Sequence, residues 1–171
     1  FSQIPPFRPE PSEVDLRSAL DQLESAERPV IIAGGGVRAS GASSSLLSLA
    51  ERLNIPIATS LNGKDSVPGN HPLSVGVVGT YSRESANRVV NEADLVAFIG
   101  TTAGGMTTHF WQVPPIGVAA IQIDLEPEII GRNYPLKASV QADAKVALEK
   151  MLALTNAESA SRRSKWIDRA A

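Results

Sequence analysis

Apolar positions along the chain follow two alternating patterns, which together predict an α/β protein. Leu16, Leu20 and Leu23 recur at helical spacing after Ser12, a residue type that caps helices, and predict a helix that ends near Ala26. Short and nearly continuous apolar runs separate such stretches, and runs of this kind are typical of strands covered on both faces. The predicted strands are 29–33, 55–59, 94–100, 118–125 and a shorter one near 138–140.

Helical patterns lie between these strands. Further helices are predicted from Ser40 or Gly41 to Leu53, from Ser82 or Arg83 to about 93, and over 142–154. Segment 61–81 contains many glycines and prolines and is predicted to be mostly turns. Strands that alternate with helices favour a Rossmann-like, doubly wound parallel sheet of about six strands, with helices on both faces.

Composition narrows the classes of function. The 171 residues suffice for one domain, and the net charge of −2 without a basic run gives no reason to expect nucleic acid or a membrane surface as a partner. Cysteine is absent, which excludes disulfides, thiolate catalysis and cysteine metal sites, and the two histidines lack metal-ligand spacing. Without a signal peptide or a long apolar stretch, a cytoplasmic protein is the expectation.

The most informative motif is the run Gly34, Gly35 and Gly36 between a predicted strand and a helical pattern. Bare backbone before a helix can approach a phosphate closely, so the motif predicts a nucleotide-type site. Other strand ends carry small or polar residues, at 59–62, 100–102 and 124–126. Because ligands of doubly wound sheets bind at the carboxyl ends of the strands, these four ends together favour a ligand site.

The glycines nominally match a dinucleotide fingerprint, Gly34-x-Gly36-x-x-Ala39. Its usual companion is an acid at the end of the second strand, which binds the ribose hydroxyls. That end reads Thr59-Ser60 here, so standard nicotinamide binding is disfavoured. Asp124, on a later strand, offers a carboxylate for a ribose placed elsewhere along the sheet edge.

Five motifs in this order resemble the central domain of thiamine-diphosphate (TPP) enzymes of the acetolactate-synthase-like branch. They are 28–36, 56–64, 68–73, 93–100 and 121–131, and the resemblance covers about residues 12–154. It implies a Rossmann-like domain of the DHS-like NAD/FAD-binding type, which holds FAD in some members, an adenine nucleotide in others and nothing in several. It also implies a division into a linker at 1–11, the central domain at 12–154 and a core-poor linker or tail at 155–171.

The resemblance implies positions for the cofactor contacts. The glycine turn would approach the diphosphate or ribityl region, two segments would follow the flavin, and the carboxylates would lie near the adenosine. The implied cofactor-binding residues are Gly34, Gly35, Gly36, Ser60, Leu61, Asn62, Gly79, Thr80, Gly100, Thr101, Thr102, Asp124 and Asp143, beside Val78, Tyr81 and Ala144. No catalytic residue and no metal ligand is expected in this domain.

One segment departs from the family pattern. FAD-binding members carry an arginine-containing segment after the position of Gly100, whereas residues 101–108 of this chain contain no arginine. Threonine cannot reproduce the bidentate contact of a guanidinium with a phosphate, although its hydroxyl can still donate a hydrogen bond. The resemblance therefore leaves FAD, an ADP moiety or no ligand open for this domain.

Several residues also have plain structural explanations. The glycines can serve strand–helix packing, Asp124 can cap a helical turn near Pro127, and Lys64 with Asp65 is predicted in a solvated turn. His71 is expected in a turn and His109 in a partly buried packing position. Two other classes of function stay open, a free-standing NAD-dependent oxidoreductase or deacylase and a purely structural domain.

The resemblance places the chemistry of the parent enzyme outside this chain. TPP and Mg²⁺ would be bound by flanking pyrimidine-binding and diphosphate-binding domains, within a homo-oligomer. The parent would be a lyase or transferase that acts on a 2-keto acid. The isolated central domain is expected to be inactive.

Overall fold

The computed structural model describes residues 7–82, 84–155 and 160–170. Its centre is a six-stranded, all-parallel sheet with the order β3-β2-β1-β4-β5-β6. The strands are β1 (Pro29–Ala33), β2 (Ile57–Thr59), β3 (Ser74–Val77), β4 (Leu95–Ile99), β5 (Ala119–Asp124) and β6 (Ala138–Gln141). The strand order reverses direction between β1 and β4, as in a Rossmann fold, so the predicted fold class is confirmed.

Helices connect the strands. They are α1 (Glu13–Ser25), α2 (Gly35–Ser40), α3 (Ser43–Leu53), α4 (Glu84–Glu92), α5 (Ala144–Leu154) and α6 (Ser164–Ala170), with 3₁₀ helices at Leu61–Ser66 and Ala160–Arg163. Ser12 caps α1 as predicted, and its hydroxyl accepts a hydrogen bond from the Asp15 amide. Asp143 caps α5, where its carboxylate accepts from the amides of Lys145 and Val146.

Both faces of the sheet are buried, as continuous apolar strands require. On one face Ile31, Ala97 and Ile121 pack against the leucine stripes of α1, α3 and α5. On the other face Ile32 and Phe98 pack against α4, α6 and the loops that follow β4 and β5. The core therefore forms two layers around the sheet, and the strand ends are free to carry polar residues.

Three local predictions are wrong. A short helix, α2, includes two of the three glycines that were predicted to form a turn. Segment 61–81 contains the 3₁₀ helix Leu61–Ser66 and the edge strand β3 besides its turns. Residues 160–170 are not core-poor, because Arg163, Trp166 and Ala170 are buried there.

The segment 160–170 covers the amino-terminal edge of the sheet. The indole of Trp166 donates to the Pro29 carbonyl at 2.8 Å, and Arg169 pairs with Glu92 at the end of α4. None of the helices in the described part of the chain is long and apolar enough to cross a membrane.

Candidate functional site

The carboxyl ends of β1 and β4 meet in very close contact. The Gly34 amide donates to the Ile99 carbonyl at 2.8 Å, and the Gly36 amide donates to the Gly100 carbonyl at 2.9 Å. A Cβ atom on Gly34 would lie 2.1 Å from the Gly100 oxygen, and one on Gly36 would lie 2.8 Å from the Gly100 Cα. Gly100 itself has a φ of 59°, in the left-handed region that favours glycine.

This contact gives two of the three glycines a packing role. Their amides are already hydrogen-bonded to backbone carbonyls, so these amides are not directed at a ligand. Gly35 differs, because its missing side chain leaves room beside Asn62, whose Cβ would be 3.3 Å from an added Cβ. Three cavities lie along this edge of the sheet, and together they are here called the groove.

One end of the groove is a cavity of about 240 Å³, here named the Asp124 cavity. Its walls come from α2, from the ends of β4 and β5, from the start of α5 and from the chain that precedes α1. The lining residues are Phe7, Arg8, Gly36, Ala39, Ser40, Gly100, Asp124, Leu125, Asp143 and Ala144. Four of the predicted cofactor-binding residues thus share one cavity.

The middle of the groove lies between α2 and the 3₁₀ helix Leu61–Ser66. This Arg38 cavity has a volume of about 630 Å³ and is lined by Gly35, Arg38, Ala39, Leu61, Asn62, Lys64 and Asp65. Arg38 and Asp65 face each other across it, with Arg38 Nη1 3.3 Å from Asp65 Oδ2. The lining of this middle cavity therefore contains two cations and one carboxylate, whereas the lining of the Asp124 cavity contains one cation and two carboxylates.

The other end is a cavity of about 200 Å³, the Tyr81 cavity, whose described lining residues are all uncharged. It is lined by Ser60, Leu61, Asn62, Val77, Val78, Tyr81, Met106 and Thr107. Leu61 and Asn62 also line the Arg38 cavity, and Ala39 lines both the Arg38 cavity and the Asp124 cavity. The shared lining residues show that the three cavities are neighbours along the carboxyl edge of the sheet.

Two carboxylates dominate the electrostatics of the Asp124 cavity. Burial raises the pKa of Asp124, although hydrogen bonds from the amides of Glu126 and Leu125 partly offset that effect. Asp143 is nearly buried, and its Oδ1 accepts a hydrogen bond from Arg8 at 2.9 Å in addition to the two amides of α5. Asp124 therefore keeps acceptor capacity for a ligand, whereas Asp143 is largely occupied in positioning Arg8 and α5.

Five of the predicted residues do not line these three cavities. Gly34 is packed against β4, and Gly79 lies between the Asn87 side chain and the Met106 carbonyl. The Thr80 amide donates to Met106, and its buried hydroxyl has no hydrogen-bond partner among the described residues. The main-chain carbonyls of Thr101 and Thr102 already have partners, since they accept hydrogen bonds from the side chains of Gln122 and Asn133, respectively.

The residues that the sequence did not single out for a ligand are mostly on neighbouring helices or on the chain before α1. Phe7 and Arg8 line the Asp124 cavity, Arg38 lines the middle of the groove, and Met106 lines the Tyr81 cavity. A basic residue in a predicted linker carries no periodic signal, so only the folded path of the chain identifies Arg8. Met106 lies in a loop that periodicity does not resolve.

The histidines play local roles. His71 Nδ1 accepts the Leu73 amide at 3.2 Å inside a turn, and its Nε2 lies 3.1 Å from a Glu51 carboxylate oxygen. His109 is partly buried in the loop after β4, as predicted. In the described part of the chain no three His, Asp or Glu side chains are grouped in a way that could hold a metal ion.

The sheet order and the reversal between β1 and β4 define a doubly wound α/β domain with a Rossmann-like fold. A family model described as the thiamine pyrophosphate enzyme central domain matches residues 16–151. The chain belongs to this family, and the predicted resemblance is confirmed.

Curated relatives agree with this family. The chain is 37% identical over 137 residues to a probable acetolactate synthase large subunit of Methanococcus aeolicus, which covers 80% of this chain and 23% of that protein. It is 35% identical to the corresponding protein of Methanocaldococcus jannaschii, in a match that covers 97% of this chain and 28% of that protein. It is 34% identical to a sulfoacetaldehyde acetyltransferase of Rhodobacter capsulatus, in a match that covers 88% of this chain and 26% of that protein. The chain thus spans about a quarter of the length of these relatives.

A solved structure has the same fold. It is that of a candidate thiamin diphosphate-dependent enzyme isolated from Mycobacterium smegmatis, with a TM-score of 0.73 and 22% identity. The match covers 92% of this chain and 30% of that one. At this level of identity the likeness concerns the fold alone.

Proposed function

We propose that this chain is the nucleotide-holding central domain of a TPP-dependent enzyme that acts on a 2-keto acid, as an acetolactate synthase does. The ligand of the domain is FAD or a smaller molecule with an ADP moiety. The row of three neighbouring cavities at the carboxyl edge of the sheet carries this proposal, because its length, its cation-rich middle and its two chemically different ends suit an extended dinucleotide.

The chemistry of the groove supports an orientation for the ligand. The adenosine lies in the Asp124 cavity, where the Asp124 carboxylate accepts hydrogen bonds from the ribose hydroxyls and Arg8 flanks the base. The flavin of FAD lies against Leu61, Tyr81 and Met106, since apolar and aromatic side chains favour a flat conjugated ring. The diphosphate spans the charged middle.

The reaction of the parent enzyme would take place outside this domain. A pyrimidine-binding and a diphosphate-binding domain would hold TPP and Mg²⁺. TPP would supply the electron sink that the reaction of a 2-keto acid needs. The groove residues of this chain would bind and orient a nucleotide and would not exchange protons with the keto acid. The isolated chain is therefore expected to be catalytically inactive, in a parent that is a cytoplasmic homo-oligomer.

Calorimetric titration of the 171-residue chain with FAD, ADP and NAD tests the proposal. We expect saturable binding of FAD or ADP and much weaker binding of NAD, because β2 ends at Thr59 and Ser60 without the acid that nicotinamide dinucleotides require. Absence of heat and of thermal stabilisation with both FAD and ADP would contradict the proposal. Tight binding of NAD with turnover would instead favour the oxidoreductase alternative.

A purely structural domain is the second candidate. The observation that favours it is the packing of Gly34 and Gly36 against Gly100, which explains two glycines of the motif without any ligand. In that case the domain would brace the flanking domains of the parent. The same titration distinguishes the two functions, since a bracing domain leaves every nucleotide unbound.

A further inference from the structure

The cations that line the groove are unevenly distributed. Arg8 lies in the Asp124 cavity, where the nearly buried Asp143 holds it, and Arg38 and Lys64 lie in the middle. In the described part of the chain, Lys64 forms no ion pair. A diphosphate needs cationic or amide donors close to its oxygens. Arg38 and Lys64 are the cations that line the middle cavity and are not held by a buried carboxylate.

The pairing of Arg38 with Asp65 is weak. Their side chains are 63% and 61% exposed, and the single contact between Arg38 Nη1 and Asp65 Oδ2 measures 3.3 Å. Ion pairs with this exposure contribute between about 0 and 1 kcal/mol to stability, because water competes for both charges. Asp65 therefore holds the guanidinium loosely at the groove, and a phosphate can displace the carboxylate.

Several other donors near the groove are already used. The amides of Gly34 and Gly36 donate to β4 carbonyls, the Thr101 hydroxyl accepts the Ala103 amide at 3.3 Å, and the segment that follows Gly100 contains no arginine. For a diphosphate above the β1–α2 turn, the available cationic donors therefore come from α2 and the 3₁₀ helix and not from the end of β4.

We propose that Arg38 of α2 and Lys64 of the 3₁₀ helix Leu61–Ser66 form the diphosphate clamp of this domain, with Asp65 as an internal competitor for Arg38. The inference rests on the proposed nucleotide function and deepens it. Arg38 supplies the guanidinium that residues 101–108 lack, and it does so from α2. Lys64, which directly precedes Asp65 in the 3₁₀ helix, supplies a second positive charge. The Asp65 carboxylate releases Arg38 once the ligand binds.

The test compares the affinities for ADP and adenosine in four variants. Arg38→Gln and Lys64→Gln are each expected to weaken ADP binding about tenfold, the usual size of one charge-assisted contact, and to leave adenosine binding unchanged. Asp65→Asn is expected to tighten ADP binding several-fold, because the competing charge is removed. Arg52→Gln, on the exposed last turn of α3 and outside the three cavities, is the matched control and keeps the wild-type affinities.

The outcomes separate this inference from the proposed function. Wild-type chain that binds neither ADP nor FAD overturns the proposed function and the clamp with it. Wild-type chain that binds ADP, with unchanged ADP affinity in Arg38→Gln and Lys64→Gln, overturns the clamp alone. Equal loss of ADP and adenosine in these variants also overturns it, and thermal melting of each variant shows whether such a loss reflects misfolding.

Discussion

Asp124 ends β5 with its carboxylate partly withdrawn from water, and this burial raises its pKa. The ionised form is therefore less favourable in the folded chain than in the unfolded one. A carboxylate that costs stability at the mouth of a cavity is typical of a residue that serves a ligand. The hydroxyls of a bound ribose would provide the hydrogen bonds that water supplies only in part.

The substitution Asp124→Asn separates stability from binding. At pH 7 we expect the free energy of unfolding to rise by on the order of 0.5 kcal/mol, since the charge is removed and the amide oxygen still accepts from Glu126. Affinity for ADP is expected to fall about tenfold, because a charge-assisted hydrogen bond is lost. Urea unfolding and calorimetry of the same variant measure both effects.

The stability gain of Asp124→Asn should depend on pH. Because the folded pKa of Asp124 is raised, its favourable contribution is complete below the unfolded pKa and is lost as the pH rises through the folded pKa. The stability gain of Asp124→Asn is thus largest near neutral pH and disappears as the pH falls toward 4, the ordinary range of an aspartate. Asp21→Asn, at an exposed position of α1, is the control. A gain that persists at low pH would contradict the assignment.

At the scale of elements, the contact between the β1–α2 turn and the end of β4 depends on missing side chains. An alanine at position 34 would place Cβ 2.1 Å from the Gly100 oxygen, an overlap that only a backbone shift can relieve. We expect Gly34→Ala to destabilise the chain by about 3 kcal/mol, at the upper end for overpacked sites. Thermal and urea unfolding measure the loss.

Gly69 provides the matched control, because a Cβ there would meet nothing within 4 Å and its φ is not positive. Gly69→Ala is expected to change stability by no more than about 0.5 kcal/mol. If Gly34→Ala unfolds at the same urea concentration as Gly69→Ala, close packing does not explain the glycine. Retained ADP binding in a folded Gly34→Ala would show that position 34 is structural only.

The periodic elements were predictable because burial alone specifies them. Continuous apolar runs identify β1, β4 and β5, which are covered on both faces, and leucine spacing identifies α1 and α3. β3 was missed because it is a short edge strand, Ser-Val-Gly-Val, with only partial burial. α2 was missed because glycine disfavours helices locally, and the helix depends on contact with Gly100.

The site was predictable to the extent that strand ends define it. Asp124, Ser60 and the glycines follow strands, so the rule for doubly wound sheets brings them to one edge. Arg8 comes from the segment before α1. Arg38 comes from α2, whose two glycines disfavour a helix in the sequence. Their place in the groove results from tertiary packing, which a single sequence does not encode in any spacing.

At the scale of the molecule, the two ends of the described chain bind opposite edges of the sheet. Residues that precede α1 reach the carboxyl edge, where Arg8 pairs with Asp143. Residues 160–170 cover the amino edge, where Trp166 and Arg163 donate to main-chain carbonyls. Phe7 and Arg8 thus line one end of the groove, while α6 packs at the opposite edge of the sheet.

Arg163 is the central contact of that last segment. It is fully buried, and its guanidinium donates to the carbonyls of Leu23, Glu24 and Ala26 at the end of α1 and of Leu53 at the end of α3. Burial lowers its pKa to about 10, so the side chain is still charged at neutral pH. A cation at two helix C-termini satisfies carbonyls that have no partner within their own helices.

Replacement of this side chain should therefore loosen two helices at once. We expect Arg163→Met to lower the free energy of unfolding by about 3 kcal/mol, because buried carbonyls lose their donors while the methionine fills only part of the volume. Arg162→Met is the control, since Arg162 is exposed and its guanidinium donates to the Glu24 carbonyl in an exposed hydrogen bond. Urea unfolding compares the two variants, and equal midpoints would show that segment 160–170 contributes little to the domain. Affinity for ADP is expected to be unchanged in Arg163→Met while it is folded, because the contact lies at the edge of the sheet opposite the groove.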